Sequence, residues 1–93
     1  MVRVLVLGAG SAQLAALAAV SGRGLTVVVV DRNPSAPGFL YADRRAILSI
    51  EDEPAVERLA RAEGVDRIIA PGGGRAAEIA ERVAARLGLG AAA

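Results

Sequence analysis

The chain has 93 residues, 54% of them apolar, and a net charge of +1, so one small domain with a modest core is expected. So small a charge gives no field to gather nucleic acid or an acidic membrane, and no apolar run reaches membrane-spanning length. All 11 basic residues are Arg, and His and Cys are both absent. This excludes a catalytic or P-loop lysine, thiolate chemistry and a histidine base or metal ligand, and a cysteine-free chain fits the cytoplasm.

Val2 to Leu7 reads as a buried parallel strand that runs into Gly8-Ala9-Gly10. Ser11 to Ser21 follows as a helix with Leu14, Leu17, Ala18 and Ser21 on one face, stopped by Gly22 and Gly24. Leu25 to Val30 is a second buried strand, closed by Asp31. Arg32 to Arg44 holds two prolines and a glycine and has no helical period, so it reads as a loop. Arg45 to Ile50 is a third strand. Asp52 is a fitting N-cap for a helix carrying Val56, Leu59, Ala60 and Glu63 on one side, which Gly64 ends. Arg67 to Ala70 is a fourth strand, stopped by Pro71 and Gly72-Gly73-Gly74. A last helix runs from about Arg75 to Leu87, with Ala76, Ile79, Ala80, Val83 and Leu87 as its buried stripe and Gly88 as its cap.

Strands alternating with helices predict an α/β domain over residues 1–90 with a short tail, Ala91-Ala92-Ala93. The fold is a three-layer, Rossmann-like one, with a four-stranded parallel sheet and helices on both faces. Right-handed crossovers favour strand order 3-2-1-4. Strands 1 and 4 are then neighbours at the topological switch point, where ligands of open α/β sheets sit. Two glycine loops leave those strands, and each feeds a helix N-terminus suited to an anion.

Each motif carries two readings. Gly8 and Gly10 can let the backbone approach a phosphate or carboxylate, or can simply serve a strand-to-helix turn. Ser11 opens the helix beside them. Gln13 stands where a dinucleotide loop has its third glycine; pointing into the crevice, it would offer an amide to a polar ligand. Asp31 has the spacing of a ribose-binding acid, and equally of a turn carboxylate before Arg32-Asn33-Pro34. Phe39 and Tyr41 form a lid or patch over a site, or plug the end of an alanine-rich core, which their large area favours. Glu51-Asp52-Glu53 resembles a metal or acid/base cluster but suits a helix start. Arg75 can fork onto an anion or stay solvated. No catalytic residue and no metal ligand is assigned.

The run G-A-G-x-x-Q-L after a strand, then VVVVDRNPSAPGFLYAD, VERLARAEGVDRIIAPGGG and AAEIAERVAARLGL, resembles the N-terminal, pre-ATP-grasp domain of ATP-grasp ligases. That group includes biotin carboxylase and the carbamoyl-phosphate synthase large chain. The likeness covers about Val2 to Leu89, and the loop from Asn33 to Asp43 is its most specific part. It implies a substrate-side domain that acts beside a larger domain binding ATP and magnesium and activating a carboxylate as an acyl phosphate. Carried over, it points to Gly8, Gly10, Ser11 and Gln13, with Gly72, Gly73, Gly74 and Arg75 alongside. No ATP-binding lysine and no magnesium-binding Glu/Asn set stands in this sequence. The chain alone is therefore expected to be inactive and without a cofactor of its own. Its expected partners are the missing ATP-grasp domain or a partner chain, a small carboxylate or phosphate ligand, or a second copy. A small dinucleotide-binding module using Gly8, Gly10 and Asp31, and a ligand-free structural or designed domain, remain as alternatives.

Overall fold

A computed structural model describes residues 2–89; the domain end at residue 90 and the alanine tail lie outside the described residues. The strands are β1 (Arg3–Leu7), β2 (Thr26–Asp31), β3 (Arg44–Ile47) and β4 (Arg67–Ile69), and the helices α1 (Leu14–Ser21), α2 (Glu53–Glu63) and α3 (Gly74–Arg86). All strand pairs are parallel, in the order β3-β2-β1-β4. The expected sheet is the observed one. Its two central strands are solvent-free valine and leucine runs, as strands covered on both faces must be.

Side-chain alternation splits the core into two layers. Leu5, Leu7, Val28, Val30 and Ile68 face α2 and α3, where Val56, Ala60, Ile79, Ala80 and Val83 meet them. Val4, Val6, Val27 and Val29 face the other side, beneath Leu17 of α1 and Ala36. The caps read from sequence are in place. Asp52 accepts a hydrogen bond from the Ala55 N–H at 3.2 Å, and Gly64 closes α2 in the left-handed conformation.

The structure departs from the sequence reading in three places. The first helix is split: Ser11–Gln13 form a 3₁₀ turn and the α-helix begins at Leu14. Ala18 faces solvent, and Leu14, Leu17, Val20 and Ser21 make the covered side. The helix is apolar all round, so its sequence carried no directional signal. The third strand is Arg44–Ile47, earlier and shorter than read, because Ser49 and Asp52 already bond across the turn into α2.

The segment from Arg32 to Arg44 is not featureless either. Pro37–Tyr41 form a 3₁₀ turn that packs on the β1–α1 loop. Phe39 and Tyr41 are half-buried against the α1-side core, with the Arg45 guanidinium 5.9 Å from the Phe39 ring centre. The plug reading describes them better than the lid, while Leu40 between them is 82% exposed.

Candidate functional site

The site follows from the order of the strands. β1 and β4 lie side by side, so the loops after them emerge together at the carboxyl edge of the sheet. In the first loop, Gly8 has φ 106° and donates its N–H to the Val30 carbonyl at 2.8 Å. The Ala9 N–H goes to Asp31 Oδ2 at 2.9 Å. Gly10 is extended and precedes the 3₁₀ turn, so the N–H groups of Ser11 and Ala12 open that turn without an intrahelical acceptor.

The second loop differs in kind. Gly73 has φ 67° and ψ −153°, a region open essentially to glycine alone. A methyl on Gly73 or Gly74 would meet nothing within 4 Å. The backbone angle, and not crowding, therefore excludes side chains there. The first N–H groups of α3 begin at this point and lack intrahelical acceptors.

Gln13 joins the two loops. A methyl on Gly10 would lie 3.0 Å from its Oε1, and one on Gly72 would lie 3.0 Å from its Nε2. Its half-buried amide thus sits between the glycine turns, with no hydrogen-bond partner among the described residues. Gly8, Gly10, Gln13 and Gly72 are brought together. Ser11 is close by in sequence but exposed.

Asp31 and Arg75 are placed differently. Asp31 accepts from Ala9 with one oxygen and from the Asn33 N–H, at 2.9 Å, with the other. It pins the glycine loop to the turn after β2, as the turn reading expects. Arg75 leaves the crevice and reaches Glu51, Nε to Oε1 at 3.4 Å, with both side chains largely exposed. Together with Asp31, Arg32, Ser49 and Ile50 they line an open cleft of about 380 Å³ beside the crevice.

The acidic run serves helix packing. Asp52 caps α2. Glu53 Oε1 accepts from Arg82 Nε and Nη2 at 3.0 and 2.9 Å, and its Oε2 accepts from Arg86 Nη2 at 2.7 Å. Glu57 joins Arg86 and Arg61. Hydrogen bonds from Arg82, then Arg86, hold the Glu53 carboxyl below its ordinary value, and bonds from Arg86, then Arg61, do the same for Glu57. Among the described residues no three acidic side chains converge as a metal site would require. The stabilisation that these depressed values bring is present above about pH 4.5, the ordinary carboxyl value, and fades as pH falls through them. Glu53→Gln should therefore melt below wild type at neutral pH, with the gap closing in acid. Thermal melts from neutral pH down to about pH 3 test this, and a gap that does not narrow would refute it.

One residue of the site had no signal in the sequence. Gly38, in the turn after β2, is buried against the first glycine loop and donates its N–H to the Ala9 carbonyl at 2.7 Å. A proline-flanked glycine reads as a turn, and nothing local says what it touches.

No family model matches the chain. Among curated proteins it is 34% identical, over 67 residues, to a formate-dependent phosphoribosylglycinamide formyltransferase from Solidesulfovibrio magneticus. That match takes in 72% of this chain but 17% of the relative. Among solved structures, phosphoribosylglycinamide synthetase from Anaerococcus prevotii superposes with a TM-score of 0.79 at 22% identity, over 96% of this chain and 23% of that one. A UDP-glucose 4-epimerase from Thermotoga maritima superposes with a TM-score of 0.61 at 26% identity, over 90% of this chain and 28% of its own. The fold is therefore shared by a synthetase and an epimerase alike. The chain spans about a sixth of the curated relative's length, and that match corresponds to the relative's N-terminal part.

Proposed function

Because the chain belongs to the N-terminal, pre-ATP-grasp domains of the ATP-grasp superfamily, we propose that it is a substrate-side module of an ATP-dependent carboxylate–amine ligase. On this reading it does no chemistry alone. ATP and magnesium belong to a larger ATP-grasp part or a partner chain, since this chain has no lysine and no converging acids among its described residues. Its place of action is the cytoplasm; no described helix is long and apolar enough to cross a membrane.

The carrying observation is the Gln13 amide held between two side-chain-free turns at the switch point. Around it, the N–H groups of Ser11 and Ala12 and those of the first turn of α3 have no intrahelical acceptor. Such donors, reinforced by two helix dipoles, suit a carboxylate or phosphate group of a small ligand. Gly8 and Gly10 shape the first wall, and Gly72, Gly73 and Gly74 the second. Arg75 is close enough in sequence to turn from Glu51 to an arriving anion. The curated relatives are named for phosphoribosylglycinamide, a phosphate-bearing amine, and that is the class of ligand proposed here.

The dinucleotide module is the second reading, favoured by the Gly8-Ala9-Gly10 turn after β1 and by Asp31 at the end of β2. Two observations weigh against it. Gln13 fills the space that a third glycine leaves open, and both Asp31 oxygens already accept backbone hydrogen bonds. NMR titration with inorganic phosphate, acetate and NADH separates the two. Weak, about millimolar, phosphate or acetate binding that moves the amides of Ser11 to Gln13 and Gly72 to Arg75 is expected. No movement with either anion sinks the proposal, and micromolar NADH binding replaces it with the dinucleotide reading.

A further inference from the structure

Two residues tie the glycine turns to the open cleft of about 380 Å³ beside them. Asp31, which clasps Ala9, lines that cleft, and so does Arg75, which follows Gly74. The volume lies near the small end of ligand pockets. Three elements wall it: the end of β2 with Arg32, the turn from Ser49 to Glu51 before α2, and the first turn of α3 with Arg75.

The polar groups of the cleft are unevenly used. Both Asp31 oxygens already accept backbone N–H groups, from Ala9 and Asn33. The Ser49 hydroxyl oxygen accepts from the Glu51 N–H at 3.2 Å, and its own proton has no acceptor among the described residues. Arg32 has no ion pair or hydrogen bond among them either. Glu51 and Arg75 hold each other only by the 3.4 Å contact of Nε with Oε1, with both side chains largely exposed. An ion pair of that kind contributes little and is readily exchanged.

The lining carries two acids, Asp31 and Glu51, against two arginines, so its formal charge is zero. A simple anion is drawn by the arginines and opposed by Glu51. A ligand with both signs avoids that conflict. Its anion takes Arg75, its ammonium takes Glu51, and one weak pair gives way to two. Two guanidinium forks and a hydroxyl proton match the three terminal oxygens of a phosphate monoester.

We propose, resting on the ligand class inferred above, that this cleft binds a small phosphate monoester bearing a primary amine. Arg32, Arg75 and Ser49 hold the phosphate, and Glu51 holds the ammonium. Glu51 is then the group that selects an amine-bearing phosphate over phosphate itself.

Calorimetric and NMR titration of the chain with O-phosphoethanolamine and with inorganic phosphate test this. O-phosphoethanolamine should bind about three- to fivefold tighter than inorganic phosphate, the gain of one exposed ion pair. Both should move the amides of Arg32 and of Ser49 to Glu51. Glu51→Gln, at an exposed side chain that touches only Arg75, should fold normally and abolish the preference. Arg75→Gln should weaken both ligands at least about threefold. Arg58→Gln, on the exposed face of α2, should change neither. Equal affinities in the wild type, or a preference that survives Glu51→Gln, would overturn the proposal. Shifts at Ser11 to Gln13 and Gly72 to Gly74 with none at Arg32 and Ser49 to Glu51 would overturn it and leave the crevice site standing. Shifts in the cleft alone would sink the crevice site and keep the cleft, and shifts at neither would remove both.

Discussion

Gly38→Ala should cost the chain about 3 kcal/mol, seen as a fall in melting temperature of roughly 10–20 °C. The added Cβ would lie 2.4 Å from Leu17 Cδ1, 2.7 Å from the Ala9 carbonyl oxygen and 2.9 Å from Ala9 Cα. The first of these is the end of a side chain, but Leu17 is fully buried, so its displacement pushes on the core. The other two are backbone atoms of the glycine loop. The turn must lift away, breaking the 2.7 Å hydrogen bond from Gly38 to Ala9 and loosening Phe39 and Tyr41 over the core. Thermal melting measures the loss, and hydrogen exchange at Gly38 locates it. A melting temperature within about 2 °C of wild type would show that the close approach is not what holds the turn.

Asp31→Ala should cost about 2 kcal/mol, because it removes a charged acceptor from two backbone N–H groups at once. One of them, on Ala9, is part-buried and has no obvious substitute. Asp31→Asn keeps one acceptor oxygen and should recover part of the loss. The same pair of variants separates the two functional readings. If Asp31 is the clasp of the glycine loop, the folded variants still bind phosphate, with equal or greater affinity once a nearby negative charge is gone. If it is a ribose acid, NADH binding vanishes while stability is little changed. Chemical denaturation followed by NMR titration of the folded variants gives both numbers. Unchanged stability in Asp31→Ala would dismiss the clasp.

Much of this molecule is written locally. The valine runs of β1 and β2, the Asp52 cap, and the glycines that end α2 and α3 each carry their own physical cause. The stripes of α2 and α3 were legible because polar residues mark their outer sides. α1 was misread at Ala18 because a helix of alanine and leucine has no polar side to orient it. The 3₁₀ turn at Pro37–Tyr41 was missed because a single short turn leaves no period to detect.

The site divides in the same way. The adjacency of the two glycine turns follows from strand order, and strand order follows from the handedness of crossovers, a rule that acts on the pattern alone. The direction of each side chain does not. Gln13 between the turns, Arg75 drawn to Glu51, and Gly38 pressed on Ala9 are all contacts between residues far apart in the chain or free to rotate.

The chain's own order of residues determined the alternation of elements, their caps and hence the sheet with its switch point, since these depend on propensity, period and chirality within short windows. Tertiary packing alone decided that Asp31 clasps the first loop, that Gln13 sits between the two glycine turns, and that Gly38 presses on Ala9. Those outcomes depend on which distant groups are within a few ångströms of each other, and no local preference encodes that distance.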